Sequence, residues 1–147
     1  MDEKLKLAEA ELQLVAENLA AARLVADSRL YRNAVTDLYY AAYHAAVALL
    51  AVHGIEAASH DGVLAQFGLH FVKTGALDRN AGKYLGKLYH ARLTADHKGY
   101  VDLDRVDYEE AARQARLVVV AVSDYLARHF PSLELNAVRA GADRLCA

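Results

Sequence analysis

The chain has 147 residues, of which 55% are hydrophobic and 24% are charged, and its formal net charge is −2. These values predict one soluble globular domain and exclude a globally basic nucleic-acid-binding protein, although a local basic face is compatible with them. Cys146 is the only cysteine, which excludes an internal disulfide and a cysteine-based zinc site. The first residues lack the pattern of a signal peptide, and the longest apolar run without aromatic residues, 45–52, is too short to cross a bilayer. We therefore expect a cytoplasmic protein that does not enter a membrane.

The first half of the chain predicts two long helices. Between about residues 3 and 26, apolar side chains recur at alternating steps of three and four, which places them in one stripe along a helix. Residues 31–53 repeat this spacing and form the second predicted helix. Gly54 follows it, and glycine commonly ends a helix because it adopts left-handed backbone without strain.

Two further helices are predicted in the middle of the chain. Ser59 or Asp61 can cap a short third helix, whose end is marked by Gly75. Asp78 can cap a fourth helix, which we expect to end near His97 because a glycine follows two residues later. The apolar residues that these two helices would turn inward are Val63, Phe67, Phe71, Ala81, Leu85 and Leu88.

A fifth predicted helix completes a bundle. Asp107, with Glu110 three residues later, resembles a capping box, so we expect the helix to begin there and to stop at Pro131. Its wide apolar face predicts a central position. No stretch alternates apolar and polar residues with period two, so no strand is predicted. The predicted fold is all-α, an up-and-down bundle of four main helices plus a short helix in residues 1–130, with a tail at 131–147 that forms a loose helical turn or frays.

The pair with the sharpest chemical implication is Arg92 and His97. RNA is cut without metal when its own 2′-hydroxyl attacks the neighbouring phosphorus. That reaction needs a group that exchanges protons near neutral pH, which histidine provides, and a fixed positive charge beside the transition state, which arginine provides. The pair therefore predicts metal-independent RNA cleavage.

The spacing of this pair leaves its geometry open. Five residues along a continuous helix correspond to a rotation of roughly 140°. Either the helix ends before His97, or Arg92 and His97 meet across a twofold dimer. A simpler interpretation is a helix-end ion pair between Arg92 and Asp96, next to an exposed histidine.

The predicted fourth helix also carries a basic stripe, formed by Arg79, Lys83 and Lys87 at steps of four. Tyr89 and His90 add an edge on which a base could stack. The stripe indicates a surface for the RNA backbone. The alternative is an ordinary solvated helix face, which is what most charged stripes are.

A second group of polar residues lies on the second predicted helix. Asp37, Tyr40 and His44 fall on one face at steps of three and four, with Tyr39 and Tyr43 beside them. The carboxylate of Asp37 could orient His44 or accept a hydrogen bond from the arginine of the fourth helix. A hydrogen-bonded network that fixes helix packing is the favoured interpretation over direct catalysis.

The remaining histidines suggest little chemistry. His60 follows Ser59 at the start of the third helix, where we expect a capping or packing role. A weaker alternative is a metal site formed by His44, His60 and His97. The sequence has no Glu-x-x-His pair and no glycine-rich phosphate loop, so we predict no metal and no cofactor.

Several parts of the sequence together resemble the HEPN family of small helical proteins. They are residues 34–50, 59–62, 67–75 and 92–97, the last with the sequence RLTADH, and the similarity extends over about residues 7–128. The resemblance implies an all-helical bundle that forms twofold homodimers. It also implies frequent pairing with a small nucleotidyltransferase encoded beside it, as toxin and antitoxin.

The same resemblance implies roles for individual residues. Many members are metal-independent endoribonucleases in which an arginine and a histidine, four to six residues apart, are catalytic, and Arg92 and His97 match this motif with four intervening residues. Leu93 departs from the polar residue that often follows the arginine in active members. Some toxins of this kind carry a tyrosine two residues after the histidine, to which the partner attaches nucleotides. Tyr100, three residues after His97, is the candidate here.

The leading hypothesis is a dimeric toxin endoribonuclease held in check by a nucleotidyltransferase antitoxin. In this hypothesis Arg92 holds the phosphate and His97 is the acid or base. The supporting residues would be Asp96, Asp37, Tyr40 and His44, and the RNA backbone would follow Arg79, Lys83 and Lys87. The alternative is a non-catalytic helical module that binds a nucleotidyltransferase or a nucleotide.

Overall fold

The computed structural model describes residues 2–97 and 102–146, without the side chains of residues 96 and 97. The described chain is all-helical and contains no strand, which confirms the predicted fold class. The helices are α1 (Glu3–Asp27), α2 (Tyr31–Val52), α3 (His60–Phe67), α4 (Arg79–His97), α5 (Arg105–His129) and α6 (Asn136–Leu145), and a π-helical turn, Gly68–Val72, extends α3.

The centre of the bundle is α2, which packs against α1, α3, α4 and α5. Twelve of its 22 residues are buried, against nine of 25 in α5. Helix α5 packs on α2, α4 and α6, so it lies at the centre with α2, but α2 contacts more of the bundle. The many alanines of α2 are small, which lets neighbouring helices approach it from several sides.

In the described part of the chain, α2 is also the one helix long and apolar enough to cross a membrane by length and composition. The sequence prediction considered only the apolar run without aromatic residues, 45–52, and therefore expected no segment long enough to cross a bilayer. However, 61% of its apolar window is buried inside the bundle. A core helix of a bundle passes the same test, so the apolarity of α2 is explained by its packing.

The start of α3 follows the sequence prediction. Ser59 is the N-cap, and its hydroxyl accepts a hydrogen bond of 3.0 Å from the backbone N–H of Gly62. After α3 the backbone widens into the π-helical turn, which the sequence did not predict; there the N–H of Lys73 donates to the carbonyl of Gly68 at 2.8 Å. Gly75 then ends the segment with φ +81°, a left-handed conformation that favours glycine.

The start of α5 differs from the prediction. A reciprocal capping box joins Asp104 and Asp107, in which each carboxylate accepts a 3.0 Å hydrogen bond from the other residue's backbone N–H. The N-cap is therefore Asp104, three residues before the predicted cap Asp107, and the helix begins at Arg105. Asp107 belongs to the box as its third helical residue, whereas Glu110 contacts Arg113 further along the helix.

The C-terminal segment is more ordered than expected. Instead of a loose or frayed turn, it contains the ten-residue helix α6, which packs on α1 and α5. A Cβ placed on Gly141 would lie 3.1 Å from the Leu19 side chain, so the two helices are in close contact there. The N-cap, Leu135, makes no side-chain hydrogen bond, but the carboxylate of Glu134 accepts a hydrogen bond of 2.8 Å from the backbone N–H of Asn136, the first helical residue. The proposed domain boundary at residue 130 stays a prediction.

Candidate functional site

Three helices bring a group of aromatic rings together on one side of α2. We call it the aromatic cluster, and its members are Tyr39, Tyr40, Tyr43, His44, His60 and Tyr89. The ring of His60, the first residue of α3, lies at its centre. Its centroid is 4.3 Å from that of Tyr43 and 6.0 Å from that of Tyr89, in nearly parallel orientation at 15° and 16°. The cluster therefore connects α2, α3 and α4.

A short hydrogen bond fixes the His60 ring. The hydroxyl oxygen of Tyr39 lies 2.6 Å from Nδ1 of His60. Tyr39 is fully buried, and burial is the main reason that the pKa of its hydroxyl is raised far above the usual value, so the phenol stays protonated. We assign Tyr39 as the donor, which places the hydrogen of neutral His60 on Nε2.

The charge state of His60 is set by its surroundings. Burial lowers its pKa below 6.5, and the positive charges of Arg92 and His44 lower it further, against a smaller opposite effect of Asp61. His60 is therefore a neutral imidazole near pH 7. A neutral histidine beside a fixed positive charge can exchange a proton with a bound substrate.

Arg92 of α4 lies against the aromatic cluster, and its side chain is half-buried. Its guanidinium carbon is 5.4 Å from the ring centroid of Tyr40 and 6.0 Å from that of Tyr39, which are cation–π distances. The two tyrosine rings thus limit where the guanidinium can lie. This position supplies a fixed positive charge next to a neutral histidine.

The second member of the predicted pair, His97, lies at the end of α4, which continues through that residue. The interpretation in which the helix ends before His97 was therefore wrong, and positions 92 and 97 are separated by roughly 140° of helix rotation. The side chains of His97 and Asp96 lie outside the described part of the structure. Tyr100, the predicted modification site, also lies outside the described residues.

The partner of His44 is not the one expected. Nδ1 of His44 lies 2.6 Å from a carboxylate oxygen of Glu11 on α1, whereas Asp37 had been expected to orient this ring. Asp37 lies about two turns earlier on α2, and burial raises the pKa of its carboxyl. Sequence spacing can identify neighbours within α2, but it does not give the register of α1 against α2, so Glu11 was missed.

The basic stripe of α4 is exposed along its whole length. Arg79, Lys83 and Lys87 all face solvent, and Lys87 Nζ lies 6.0 Å from the ring centroid of Tyr84. His90 is exposed as well, whereas Tyr89 belongs to the aromatic cluster. One helix thus carries both the stripe and Arg92.

The sequence interpretation gave His60 a capping or packing role, and the structure gives it a more central position. Ser59 caps the helix, and His60 occupies the middle of the aromatic cluster beside Arg92. The available signal was a histidine placed directly after a capping serine. Among residues with described side chains, no three histidines, cysteines or carboxylates come close enough to hold a metal. The alternative metal site needs the His97 side chain, which is not among them.

We expect the stability of the protein to fall as the pH drops below about 6.5, partly because of His60. Its pKa is lowered in the folded state, so the unfolded chain takes up the proton first and stability is lost as the pH falls through the folded pKa. Urea unfolding of His60→Gln at pH 7.5 and 5.5 should show a smaller loss than the wild type. His60→Gln should still lose some stability on acidification, because the pKa of His53 is lowered as well, chiefly by burial and then by the charge of His129.

The matched control for this measurement is His90→Gln. His90 is exposed on α4, outside the aromatic cluster. This variant should lose as much stability on acidification as the wild type. An equal loss in His60→Gln and the wild type would contradict the proposed protonation of His60.

The fold and the site together define a class: a small all-helical protein in which one helix carries both a basic stripe and an arginine that lies against a cluster of aromatic rings. The HEPN domain model matches residues 9–125, which is most of the chain. The chain therefore belongs to the HEPN family, as the sequence resemblance implied.

Relatives with similar sequences agree with this assignment. A candidate toxin of Methanocaldococcus jannaschii is 38% identical over 89 residues, which are 60% of this chain and 66%, just under two thirds, of that protein. A UPF0332 protein of Thermotoga maritima is 32% identical over 78% of this chain and 87% of its own length. A second candidate toxin of M. jannaschii is 28% identical over 75% of each chain. The chain is thus similar to HEPN proteins with toxin-like names.

Proposed function

We propose that this protein is a HEPN-type toxin that acts as a metal-independent endoribonuclease. The observation that carries the proposal is the position of Arg92, 5.4 Å from the Tyr40 ring centroid and next to neutral His60. This arrangement supplies the fixed charge that a phosphorane-like transition state needs. The toxin-like names of two relatives support the proposal that this protein is a toxin.

In the proposed reaction the RNA supplies its own nucleophile. The 2′-hydroxyl oxygen forms a bond to the adjacent phosphorus while the bond from phosphorus to the 5′-oxygen breaks. The 2′-proton passes to a general base, and a general acid protonates the leaving 5′-oxygen. The products are a 2′,3′-cyclic phosphate and a 5′-hydroxyl. Arg92 stabilises the negative charge on the phosphoryl oxygens, and His97 is the acid or base.

Other residues would position the two catalytic side chains or bind the RNA backbone. Tyr40 holds the guanidinium of Arg92, and His44 with Glu11 fixes the neighbouring part of α2. Asp96 and Asp37 are proposed as orienting carboxylates. The exposed stripe of Arg79, Lys83 and Lys87 would attract the RNA backbone.

A twofold homodimer completes the proposal. Because α4 continues through His97, positions 92 and 97 of one chain are turned away from each other by roughly 140°. A symmetric partner would bring a second pair to the same cleft, so that Arg92 of one protomer works with His97 of the other. We further propose a cytoplasmic location and a nucleotidyltransferase antitoxin that modifies Tyr100.

The test is incubation of the purified protein with end-labelled RNA in EDTA. The wild type should cut and leave 2′,3′-cyclic phosphate ends, whereas His97→Ala should leave the RNA intact. His129→Ala is the matched control, because His129 is an exposed histidine at the far end of α5 that contacts Tyr125, and it should cut like the wild type.

Two results would overturn the catalytic proposal. Unchanged cleavage by His97→Ala would remove the proposed mechanism. Intact RNA with the wild-type protein would favour a non-catalytic module that binds a nucleotidyltransferase or a nucleotide.

A further inference from the structure

A groove of about 680 Å³ lies between the first half of α1, the end of α2 and the loop that leads into α3. Most of its lining is aliphatic, and no aromatic residue of the described chain belongs to it. We call it the aliphatic groove, and its apolar lining includes Leu7, Val47, Leu50, Ala51, Ile55 and Val63. Its volume is in the range of small-molecule sites.

The aliphatic groove leaves apolar surface in contact with water. Leu7 is 59% exposed, and Val47 and Ile55 are only partly buried. An apolar ligand would cover this surface, and the removal of the surface from water favours binding. Because the lining consists of branched and short side chains without a flat ring, it suits a flexible alkyl chain better than a stacked aromatic ring.

Two carboxylates line the aliphatic groove, and neither is a strong anchor for a cation. The carboxylate of Glu11 lies 2.6 Å from Nδ1 of His44, so it is already engaged in a short hydrogen bond. Glu56 is exposed, so water and salt screen its charge. The charge that selects a ligand is therefore more readily the positive one.

Lys4 supplies this positive charge, and within residues 2–97 and 102–146 it takes part in no ion pair. By contrast, Lys6 on the same helix pairs with Glu3 at 3.6 Å. Gly54 leaves room for the Lys4 side chain, because a Cβ on Gly54 would lie 3.0 Å from Cε and 3.2 Å from Nζ of Lys4. The ammonium group thus lies beside the loop that forms one end of the groove.

We propose that the aliphatic groove binds a medium-chain alkyl carboxylate. The carboxylate pairs with the ammonium group of Lys4, and the alkyl chain lies along the aliphatic lining towards Glu11. Lys4 and Glu11 are seven residues apart on α1, which is about 10 Å along the helix axis, so salt screens the repulsion between Glu11 and the bound carboxylate. The proposal does not depend on RNA cleavage at Arg92, because binding is measured without RNA.

NMR titration of the whole ¹⁵N-labelled protein at pH 7.5 tests the proposal with octanoate, octanol and octylamine below their micelle concentrations. Octanoate should bind most tightly, octanol more weakly and octylamine most weakly. The backbone amide signals of Ala51, Gly54 and Val63 should shift, whereas that of His90 on α4 should not. Lengthening the chain from hexanoate to octanoate should lower the Kd about fourfold for each methylene group that becomes buried.

Four variants separate the charge from the groove. Lys4→Gln should raise the Kd for octanoate about threefold to fivefold, the effect of losing an exposed ion pair, whereas the matched control Lys6→Gln should bind like the wild type. Glu56→Gln should lower the Kd for octanoate, because it removes a like charge from the lining. Ala51→Leu fills the groove and should weaken the binding of octanoate and octanol alike, with a thermal melt to show that the fold is kept.

The proposal is overturned if octanoate does not bind, or if octanol or octylamine binds as tightly as octanoate. Wild-type affinity of Lys4→Gln for octanoate would overturn it as well. Signal shifts spread over the whole surface would show adventitious apolar association only, which also contradicts a defined site. If Ala51→Leu does not fold, Lys4→Gln and the series of chain lengths decide the question.

Discussion

Replacing Arg92 by alanine is expected to lower the rate of metal-free RNA cleavage by about 10²–10³-fold, the usual cost of losing one group that stabilises transition-state charge. The guanidinium lies over the rings of Tyr39 and Tyr40, so its position is fixed before the substrate binds. The measurement is the initial rate on labelled RNA in EDTA, with a thermal melt of each variant to show that the fold is kept.

Arg92→Lys separates charge from geometry. Lysine keeps the positive charge but loses the planar fork that contacts two phosphoryl oxygens at once. We expect its rate to stay close to that of the alanine variant. Arg128→Lys, at an exposed position near the end of α5, should cut like the wild type. A wild-type rate for Arg92→Ala in a folded protein would show that Arg92 does not take part in the reaction.

Replacing Phe67 by alanine is expected to lower the free energy of unfolding by about 3–5 kcal/mol. Phe67 is fully buried at the end of α3, and its ring centroid lies 6.3 Å from that of Phe71. The substitution removes apolar contact and leaves a cavity that the surrounding helices fill only in part. Small domains have total stabilities of about 5–15 kcal/mol, so the loss is a large fraction of the total.

Urea unfolding followed by circular dichroism measures this effect, and the linear extrapolation gives the free energy. Leu69→Ala is the control, because Leu69 lies two residues further along and is 52% exposed. It should change the stability by less than about 0.5 kcal/mol. Equal losses in the two variants would contradict the assignment of Phe67 to the core.

The sequence predicted the fold well wherever local signals were strong. The apolar periodicity of α1 and α2, the cap at Ser59 and the stop at Pro131 all depend on neighbouring residues, and each is confirmed. The π-helical turn and α6 were not found. A π-helical turn has no strong local signature. The N-cap of α6 is a leucine, which is not a capping residue type, and the helix packs on Leu19 and the rest of the bundle.

The candidate site was predictable only in part, for a physical reason. Steps along one helix give the neighbours of Tyr40 and His44 within α2, but contacts between helices depend on register and rotation. The bond between His44 and Glu11, and the position of His60 against Tyr39, depend on how α1 and α3 pack on α2. The pair of Arg92 and His97 was predicted from the chemistry of the two side chains and then from resemblance. The position of Arg92 against the tyrosines adds a contact that neither argument contains.

The π-helical turn after α3 has a consequence for length variation in this part of the chain. Its hydrogen bond from Lys73 to Gly68 spans five residues, so the turn accommodates one residue more than an α-helical turn would. Deleting one residue between Gly68 and Val72 would turn this bond into an ordinary α-helical one and leave the residues that follow on nearly the same face. Leu77, which is buried, would then keep its place in the core. Relatives should therefore tolerate the loss of a single residue in this turn without a compensating insertion before α4.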